Sequence, residues 1–341
     1  MNRILFRLPD TQLAHELRCS VGEEIMDIES LGNTSGYVFA PFSLRGKHPA
    51  LFFRSDNVLS WEIPSFSDAV NIDFTDNSDE CYQEYRSVFQ QCLQYLQAGT
   101  VKKIVLSRTL SLELSREISD ADLQQLFTIT CQHYPHSYVS LVQVSENCSW
   151  LIATPEVLLE DGPDHTWHTM ALAATMSVEE ASGLSPQDWS SKDVEEQQIV
   201  ANYIADRLQE LQIPISMSPL HTLTAGHLVH LCTDFTLPRT HSLGHLVSIL
   251  HPTPAVCGHP TREAHRLIEE TERHDRAYYA GFSGPVNLSC GTHLFVTLRC
   301  MQILGHNACL YAGGGLLSAS KCDKEWQETQ RKLNTMLHVL Q

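Results

Sequence analysis

The chain has 341 residues, of which 43% are hydrophobic and 18% charged, so it can bury a large core. Its 23 Lys and Arg against 40 Asp and Glu give a formal net charge of -17. Such a field repels nucleic-acid phosphates and anionic lipid headgroups, so we expect neither nucleic acid nor a membrane as partner.

The same charge would also repel a small anionic substrate at long range. A site for such a substrate would therefore need a local cluster of Lys, Arg or metal ions. The 11 cysteines are scattered with no C-x-x-C pair, which indicates neither a zinc site nor a disulfide framework. No signal-peptide-like stretch opens the chain and no eighteen apolar residues run together, so we expect a cytoplasmic protein.

The first predicted helix spans residues 79–98, where apolar residues recur at helical spacing and Gly99 provides a C-terminal cap. The apolar and branched run Lys103–Leu114 follows immediately and predicts a half-buried strand. Further strands are predicted at 138–144, 150–153, 295–303 and 308–312. Further helices are predicted near 119–133, 188–212, 260–273 and 322–340.

The segments 295–303 and 308–312 flank Gly305-His306-Asn307, which is a hairpin signal and favours antiparallel pairing. We find no fixed-period repeat and no long Pro/Gly/Ser linker. The prediction is an α/β protein, more strictly α+β, with one domain over 1–341. Residues 1–78 are the less certain part of that domain, and they complete the sheets without an assigned chemistry.

The C-terminal helix places Glu325, Glu328 and Lys332 on one face. Two carboxylates one turn apart can bind Mg²⁺, although taken alone a solvated Glu-Lys face is the commoner outcome. Glu196 leans toward the apolar face of its own helix. It must then be paired, protonated or bound to a cation, unless it is only a wet N-terminal glutamate that complements the helix dipole.

Three further features have two interpretations each. The run Gly313-Gly314-Gly315 could present N–H groups to a carboxylate, or could simply form a tight connection. Lys103 and Glu156 lie beside apolar runs, where burial could make them a base and an acid, although solvent-facing lysines are commoner. His230 has apolar neighbours, where a satisfied core histidine is more frequent than a catalytic one.

Several motifs in one order over residues 79–341 resemble the chorismate-binding family of isochorismate, salicylate, anthranilate and aminodeoxychorismate synthases. The motifs are KIVLSR at 103–108, ATPEVLL at 153–159, KDVEE at 192–196, HLCT at 230–233, HPTPAVCG at 251–258, the segment 272–284, TLRC at 297–300, AGGG at 312–315 and EWQET at 325–329. The resemblance implies a single large domain with two mainly antiparallel sheets in a sandwich-like core wrapped by helices.

The resemblance also implies the site. Glu196, Glu325 and Glu328 correspond to the carboxylates that bind Mg²⁺, which in turn binds the substrate's ring carboxylate. The residues that correspond to the chorismate-binding groups are Arg299, Lys332, His230, Thr175, Gly313, Gly314 and Gly315. Family members that use water carry a lysine at the position of Lys103, where ammonia-using members carry glutamine, and Glu156 corresponds to the acid that protonates the leaving C4 hydroxyl.

The expected reaction is therefore the Mg²⁺-dependent conversion of chorismate to isochorismate. A salicylate synthase, which goes on to eliminate pyruvate, is the nearest alternative, and a catalytically silent relative is another. The silent alternative arises because Ala174 stands where the family usually has glycine and because Met176 and Ser177 offer no arginine. Ala171 and Gln197 also replace the family's usual proline and histidine. The sequence leaves open a menaquinone or siderophore role, and we expect a monomer or weak homodimer.

Overall fold

The computed structural model describes residues 2–19, 22–54, 57–65, 70, 72–76 and 82–341. The helices are α1 (Tyr82–Gln97), α2 (Asp120–His133), α3 (Val178–Ala181), α4 (Ser191–Glu210), α5 (Leu243–Leu250), α6 (Thr261–Thr271) and α7 (Cys322–Leu340). The strands are β1 (Asn2–Arg7), β2 (Leu13–Cys19), β3 (Glu23–Glu24), β4 (Gly36–Ala40), β5 (Leu51–Phe53), β6 (Val58–Glu62), β7 (Phe74–Asp76), β8 (Lys103–Leu114), β9 (Tyr138–Ser145), β10 (Cys148–Thr154), β11 (Val157–Asp161), β12 (Thr166–Ser177), β13 (Ser216–Met217), β14 (His221–Ala225), β15 (Leu228–Pro238), β16 (Gly258–His259), β17 (Phe282–Val286), β18 (His293–Val296), β19 (Cys300–Leu304) and β20 (Asn307–Leu316).

The strands of the described ranges form two ten-stranded sheets in which neighbouring strands pair antiparallel. Sheet A runs β16-β8-β20-β19-β10-β9-β1-β2-β6, with β7 also on β8. Sheet B runs β13-β15-β12-β11-β18-β17-β4-β5-β3, with β14 also on β15. The predicted class and the two antiparallel sheets are confirmed, and strands from the first 62 residues extend both sheets.

The main core lies between the sheets and continues beneath the helices. Stacked rings such as Tyr138 and Phe295, whose centroids are 4.2 Å apart, join sheet A to sheet B. A second apolar layer on the other face of sheet A includes Leu126 of α2 and Leu333 of α7. Burying aliphatic and aromatic side chains in these two layers supplies the main driving force for folding.

The predicted helices agree with the structure to within three residues at each end, except that 79–81 lie outside the described residues. Helix α1 buries Tyr85, Val88, Phe89 and Leu96 on one face, and Gly99 takes the left-handed φ of +73° that a C-terminal cap requires. Strand β8 has the predicted bounds Lys103–Leu114. The predicted Gly305 hairpin joins β19 to β20.

Two predictions are wrong. The segment 295–303 is not one strand, because β18 ends at Val296 in sheet B and β19 begins at Cys300 in sheet A. Arg299 between them has a φ of +46°, which an extended strand cannot contain. The three glycines from Gly313 to Gly315 form no turn, because they lie inside β20 and pair with β8.

The chain crosses from one sheet to the other at two adjacent places. Pro155 and Glu156 link β10 in sheet A to β11 in sheet B, and residues 297–299 link β18 back to β19. The Val296 N–H donates to the Glu156 carbonyl at 2.9 Å, and the Ala153 N–H donates to the Arg299 carbonyl at 3.1 Å. The two crossings therefore hold Glu156 and Arg299 close together where the sheets separate.

Within the described ranges, none of the helices combines the length and the apolar character needed to cross a membrane.

Candidate active site

A cavity opens where the two sheet crossings, the end of β20 and helices α4 and α7 meet. Eight of the twelve residues assigned from the sequence line it, namely Glu156, Thr175, Glu196, His230, Arg299, Gly313, Gly315 and Lys332. The other four, Lys103, Gly314, Glu325 and Glu328, lie directly behind this lining.

Lys103 is fully buried at the start of β8, and its Nζ lies 3.0 Å from Oε1 of Glu196 on α4. The ammonium makes no well-aligned hydrogen bond, so it retains donor capacity beyond the Glu196 contact. Gly315 on the adjacent strand makes this contact possible. A Cβ at Gly315 would lie 2.8 Å from both Lys103 Cε and Glu196 Cδ, closer than atoms pack.

Glu156 also lines the cavity, at the first sheet crossing, and is buried. Burial raises the pKa of Glu156 to about 8, although the positive charges of Lys103, Lys332 and Arg299 oppose the shift. The carboxyl group therefore holds its proton at neutral pH. A protonated carboxyl facing a cavity can act as a general acid.

A β-bulge in β12 arranges the residues around Arg299. Ala174 and Thr175 together oppose the single residue His230 of β15, and Ala174 takes a φ of +60°. His230 Nδ1 lies 2.9 Å from the Ala174 carbonyl and 3.3 Å from Thr175 Oγ1, and His230 Nε2 accepts from Arg299 Nη2. Arg299 also donates to the Ala225 carbonyl at 3.1 Å.

The protonation states of this group follow from its environment. Burial, with the charges of Arg299 and Lys332, keeps the pKa of His230 well below its usual range, so the ring is neutral. Nδ1 then carries the proton that the Ala174 carbonyl accepts. Burial lowers the pKa of Arg299 to about 10, which leaves the guanidinium charged at neutral pH.

Each of the three glutamates has a lysine partner. Besides the Lys103 and Glu196 pair, Lys192 Nζ lies 2.7 Å from Glu325 Oε1. Lys332 Nζ lies 2.7 Å from Glu328 Oε1 and donates to the Gly313 carbonyl at 2.8 Å.

The Glu325 carboxylate is the part of this group that best fits a metal ion, since the three glutamates do not bring their oxygens within 4.8 Å of one another. Burial, then the charge of Glu328, raises the pKa of Glu325 to about 7, which is a sign of crowded negative charge. Burial also raises the pKa of Glu328, but Lys332 outweighs it and the net shift is downward. Glu325 Oε2 is buried without a hydrogen-bond partner, and a Cβ at Gly314 would come within 3.4 Å of it. Hard carboxylate oxygens around an unsatisfied acceptor suit a cation such as Mg²⁺.

The site contains residues to which the sequence analysis gave no role. Lys192 lies within the recognised KDVEE motif, four residues before Glu196, so helical spacing could have placed it on the same face. Tyr279 and Tyr311 line the cavity with ring centroids 5.4 Å apart, and a Cβ at Gly313 would meet the Tyr279 hydroxyl at 2.6 Å. No local pattern marked these tyrosines, because their pairing joins distant parts of the chain.

The site's charge balance differs from that of the whole protein. Three lysines and Arg299 supply four positive charges, whereas Glu196, Glu325 and Glu328 supply at most three negative ones. Glu156 is protonated at neutral pH. An anion entering the cavity therefore finds a local basic cluster in an otherwise acidic protein. This is the arrangement that the net charge of -17 required for an anionic ligand.

Comparison with known proteins identifies relatives. The chain is 32% identical over 273 residues to the isochorismate synthase DhbC of Bacillus subtilis, which covers 76% of this chain and 68% of that protein. It is 31% identical over 247 residues to the isochorismate synthase EntC of Escherichia coli, which covers 70% of this chain and only 62% of that protein. The chain thus matches about two thirds of these relatives' length.

Solved structures share the fold. DhbC from Bacillus anthracis superposes with a TM-score of 0.83 at 24% identity, covering 99% of this chain and 96% of that one. The menaquinone-specific isochorismate synthase MenF of Escherichia coli gives a TM-score of 0.82 at 18% identity, covering 100% and 89%. The model of the family described as chorismate binding enzyme matches residues 57–341. The chain therefore belongs to the chorismate binding enzyme family, as its ordered motifs predicted.

Proposed function

We propose that this chain is an isochorismate synthase, which converts chorismate reversibly to isochorismate. Relatives that carry this name, up to 32% identical, support the proposal. The main support is that one cavity combines a buried lysine, Lys103, with a protonated carboxyl group, that of Glu156. Lys103 lies behind the lining, and its charge acts on Glu156, whose pKa of about 8 keeps it protonated.

In the proposed reaction, water adds at C2 of the ring while the C4 hydroxyl leaves. The Lys103 ammonium first releases its extra proton to the solvent, and the resulting neutral amine accepts a proton from the attacking water as the C2–O bond forms. The ring electrons shift toward C4, and Glu156 donates its proton as the C4–O bond breaks, so a second water departs. One water enters and one leaves, which makes the product an isomer of the substrate.

The remaining basic groups bind and orient the substrate. Arg299 and Lys332 are placed to meet its carboxylates, and Gly313 and Gly315 let a ligand approach the main chain where β19 no longer pairs with β20. Neutral His230 holds the Arg299 guanidinium in place, and Thr175 offers a hydroxyl to the cavity. Fixing the ring relative to the acid and base lowers the entropic part of the barrier.

Glu196, Glu325 and Glu328 would hold Mg²⁺, which when bound would offset the charge of the ring carboxylate. In the arrangement described above, Lys192 and Lys332 neutralise two of these glutamates. The unsatisfied oxygen of Glu325 is the atom that supports this assignment.

The test is incubation of the purified protein with chorismate, with and without Mg²⁺, followed by liquid chromatography and mass spectrometry. The expected product has unchanged mass, needs Mg²⁺ and stops short of complete conversion because the reaction is reversible. Salicylate with pyruvate would instead identify a salicylate synthase. Binding without any product would identify a silent relative. The cytoplasmic location, the monomeric or weakly dimeric state and the choice between menaquinone and siderophore roles stay predictions.

A further inference from the structure

A row of alternating histidines and carboxylates crosses sheet B away from the chorismate cavity. His293 Nδ1 lies 2.8 Å from Glu160 Oε2, and Glu160 Oε1 lies 3.0 Å from His168 Nδ1. The other nitrogen of His168 lies 3.0 Å from Asp234 Oδ1, and Asp234 Oδ2 lies 3.3 Å from His221 Nε2. The row thus ends at a solvent-accessible histidine.

Strand register builds this row. Glu160 pairs with His168 on one side and with His293 on the other, and His221 pairs with Cys232. Directly opposed residues of antiparallel strands point to the same side of a sheet, and so do residues i and i+2 of one strand. Cys232 and Asp234 therefore face the same way, beside His221.

We propose that His221, Cys232 and Asp234 form a binding site for a thiophilic divalent cation of the Zn²⁺ type. One nitrogen, one sulfur and one carboxylate oxygen, all within 4.8 Å of one another, come from these three residues. In the part of the chain that the structure describes, no other His, Cys, Asp or Glu triad meets this criterion. A mixed N, S and O set suits Zn²⁺ or Co²⁺, whereas all-carboxylate sets suit Mg²⁺.

The His221 ring is oriented as a ligand would be. Its Nδ1 lies 3.2 Å from the Pro219 carbonyl, which can only accept a hydrogen bond, so Nδ1 carries the proton. Nε2 then faces the Asp234 carboxylate, 3.3 Å from Oδ2, where a metal ion can take the place of a proton. A cation between them satisfies both, and a carbonyl on the far nitrogen is the usual support of a metal-bound histidine.

Hydrogen bonds to neighbouring residues also hold Asp234 in place. His168 holds one carboxylate oxygen, while the Asp234 N–H donates to Ser218 Oγ at 2.9 Å. His168 contacts only one of the two Asp234 carboxylate oxygens, so the second oxygen is available on the side of His221.

The three side chains differ in access to solvent in a way that suits metal entry. The side chains of His221 and Asp234 are 42% and 34% exposed, whereas Cys232 is fully buried behind them. A cation can therefore arrive through the histidine and the carboxylate. Binding would displace the Cys232 thiol proton to solvent and form a metal–thiolate bond.

The test uses Co²⁺ as an optical probe on the reduced full-length protein, in excess Mg²⁺ so that carboxylate-only sites are occupied. One equivalent of Co²⁺ should give a thiolate-to-cobalt charge-transfer band in the near ultraviolet, and Zn²⁺ should abolish it. Cys232→Ser should eliminate the band. The matched control is Cys148→Ser. Cys148 is a partly buried cysteine in strand β10 of sheet A, and its substitution should leave the band unchanged.

Partly exposed ligands keep the test informative if the buried Cys232 variant does not fold. His221→Ala and Asp234→Asn should each weaken Co²⁺ binding at least about tenfold, since even supporting residues of metal sites contribute that much. His221→Ala should keep the wild-type melting temperature without metal, because His221 is partly exposed at the end of the row. Absence of the band, or a band that survives all three substitutions, would overturn the proposal. Neither result depends on turnover of chorismate.

Discussion

Lys103 Nζ lies 3.0 Å from Glu196 Oε1, and both groups are shielded from bulk water. Removing one member of a buried ion pair leaves the other charge uncompensated, which costs several kcal/mol. A neutral residue that still donates a hydrogen bond is therefore a better probe than alanine at position 103. This contact decides how the proposed base can be tested without unfolding the site.

We expect Lys103→Gln to lower turnover of chorismate by about 10²–10⁴-fold, the usual contribution of a general base. The glutamine amide can still donate to Glu196, so the melting temperature should fall less than in Lys103→Ala. Product formation by chromatography and chorismate binding by calorimetry are the measurements. The matched control is Lys102→Gln on the exposed neighbouring residue, which should keep wild-type kinetics. Near wild-type turnover in Lys103→Gln would remove lysine from the role of base.

The raised pKa of Glu156 predicts a pH limit on the forward reaction. The carboxyl is protonated below its pKa of about 8 and loses the proton above it. Because the proposed role is proton donation and kcat/KM reports the pKa of the free enzyme, kcat/KM for chorismate should fall as pH rises through about 8. A pH–rate profile checks this. A kcat/KM that stays level to pH 10 would exclude Glu156 as the acid.

The same shift predicts how stability responds to pH. The folded pKa of Glu156 lies above its ordinary value of 4.5, so above pH 4.5 the unfolded chain loses this proton first. The penalty on the folded state grows with pH and is complete above about pH 8. Glu156→Gln should therefore gain stability relative to the wild type when the pH rises from 5 to 9. Urea denaturation at both pH values measures the difference, and an equal effect at both would contradict it.

Gly315 and Gly314 offer a matched pair of substitutions on one strand. Gly315→Ala places a Cβ 2.8 Å from Lys103 Cε and Glu196 Cδ, so both side chains must move. Gly314→Ala meets its nearest atom, Glu325 Oε2, at 3.4 Å, an ordinary contact. We expect Gly315→Ala to lose at least about a hundredfold in turnover, because small displacements of catalytic groups are costly. Gly314→Ala should lose far less, and equal effects would contradict the geometry.

Local patterns predicted the elements whose apolar period is clear, such as α1 and β8. They missed β12 and β15, the two longest strands of sheet B, because Leu172, Ala173 and Leu231 are buried without a clean alternation. Local patterns also predicted a single strand across residues 297–299. The apolar composition continues there, although the chain passes from one sheet to the other. Only tertiary pairing places that crossing beside Glu156.

The site was predictable to the extent that its residues lie in ordered motifs. Resemblance assigned Glu196 and Glu325, which the structure brings to one cluster from α4 and α7. It could not show that lysines pair with these carboxylates, since Lys192 and Glu325 are 133 positions apart. Nor could it show why glycine is needed at Gly315. That reason is the close approach of two side chains from other elements.

Ala174 has a backbone conformation that glycine adopts more easily. Its φ of +60° lies in the left-handed region, at a bulge position where glycine is usual, and this costs an L-residue roughly 1–2 kcal/mol. Ala173, the preceding residue, is similarly buried, at 7% exposure against 5%, but has no such strain. Both substitutions to glycine lose one buried methyl group and gain the same unfolded-chain entropy.

Ala174→Gly should therefore be more stable than Ala173→Gly by roughly 1–2 kcal/mol, the strain that only the first relieves. Urea denaturation of the two variants and the wild type gives this difference directly, and it cancels the methyl and entropy contributions that the variants share. Equal destabilisation by both variants would mean that the bulge holds Ala174 without strain. The unusual Ala174 would then be neutral for the fold, and the His230 contact to its carbonyl would be the reason the bulge persists.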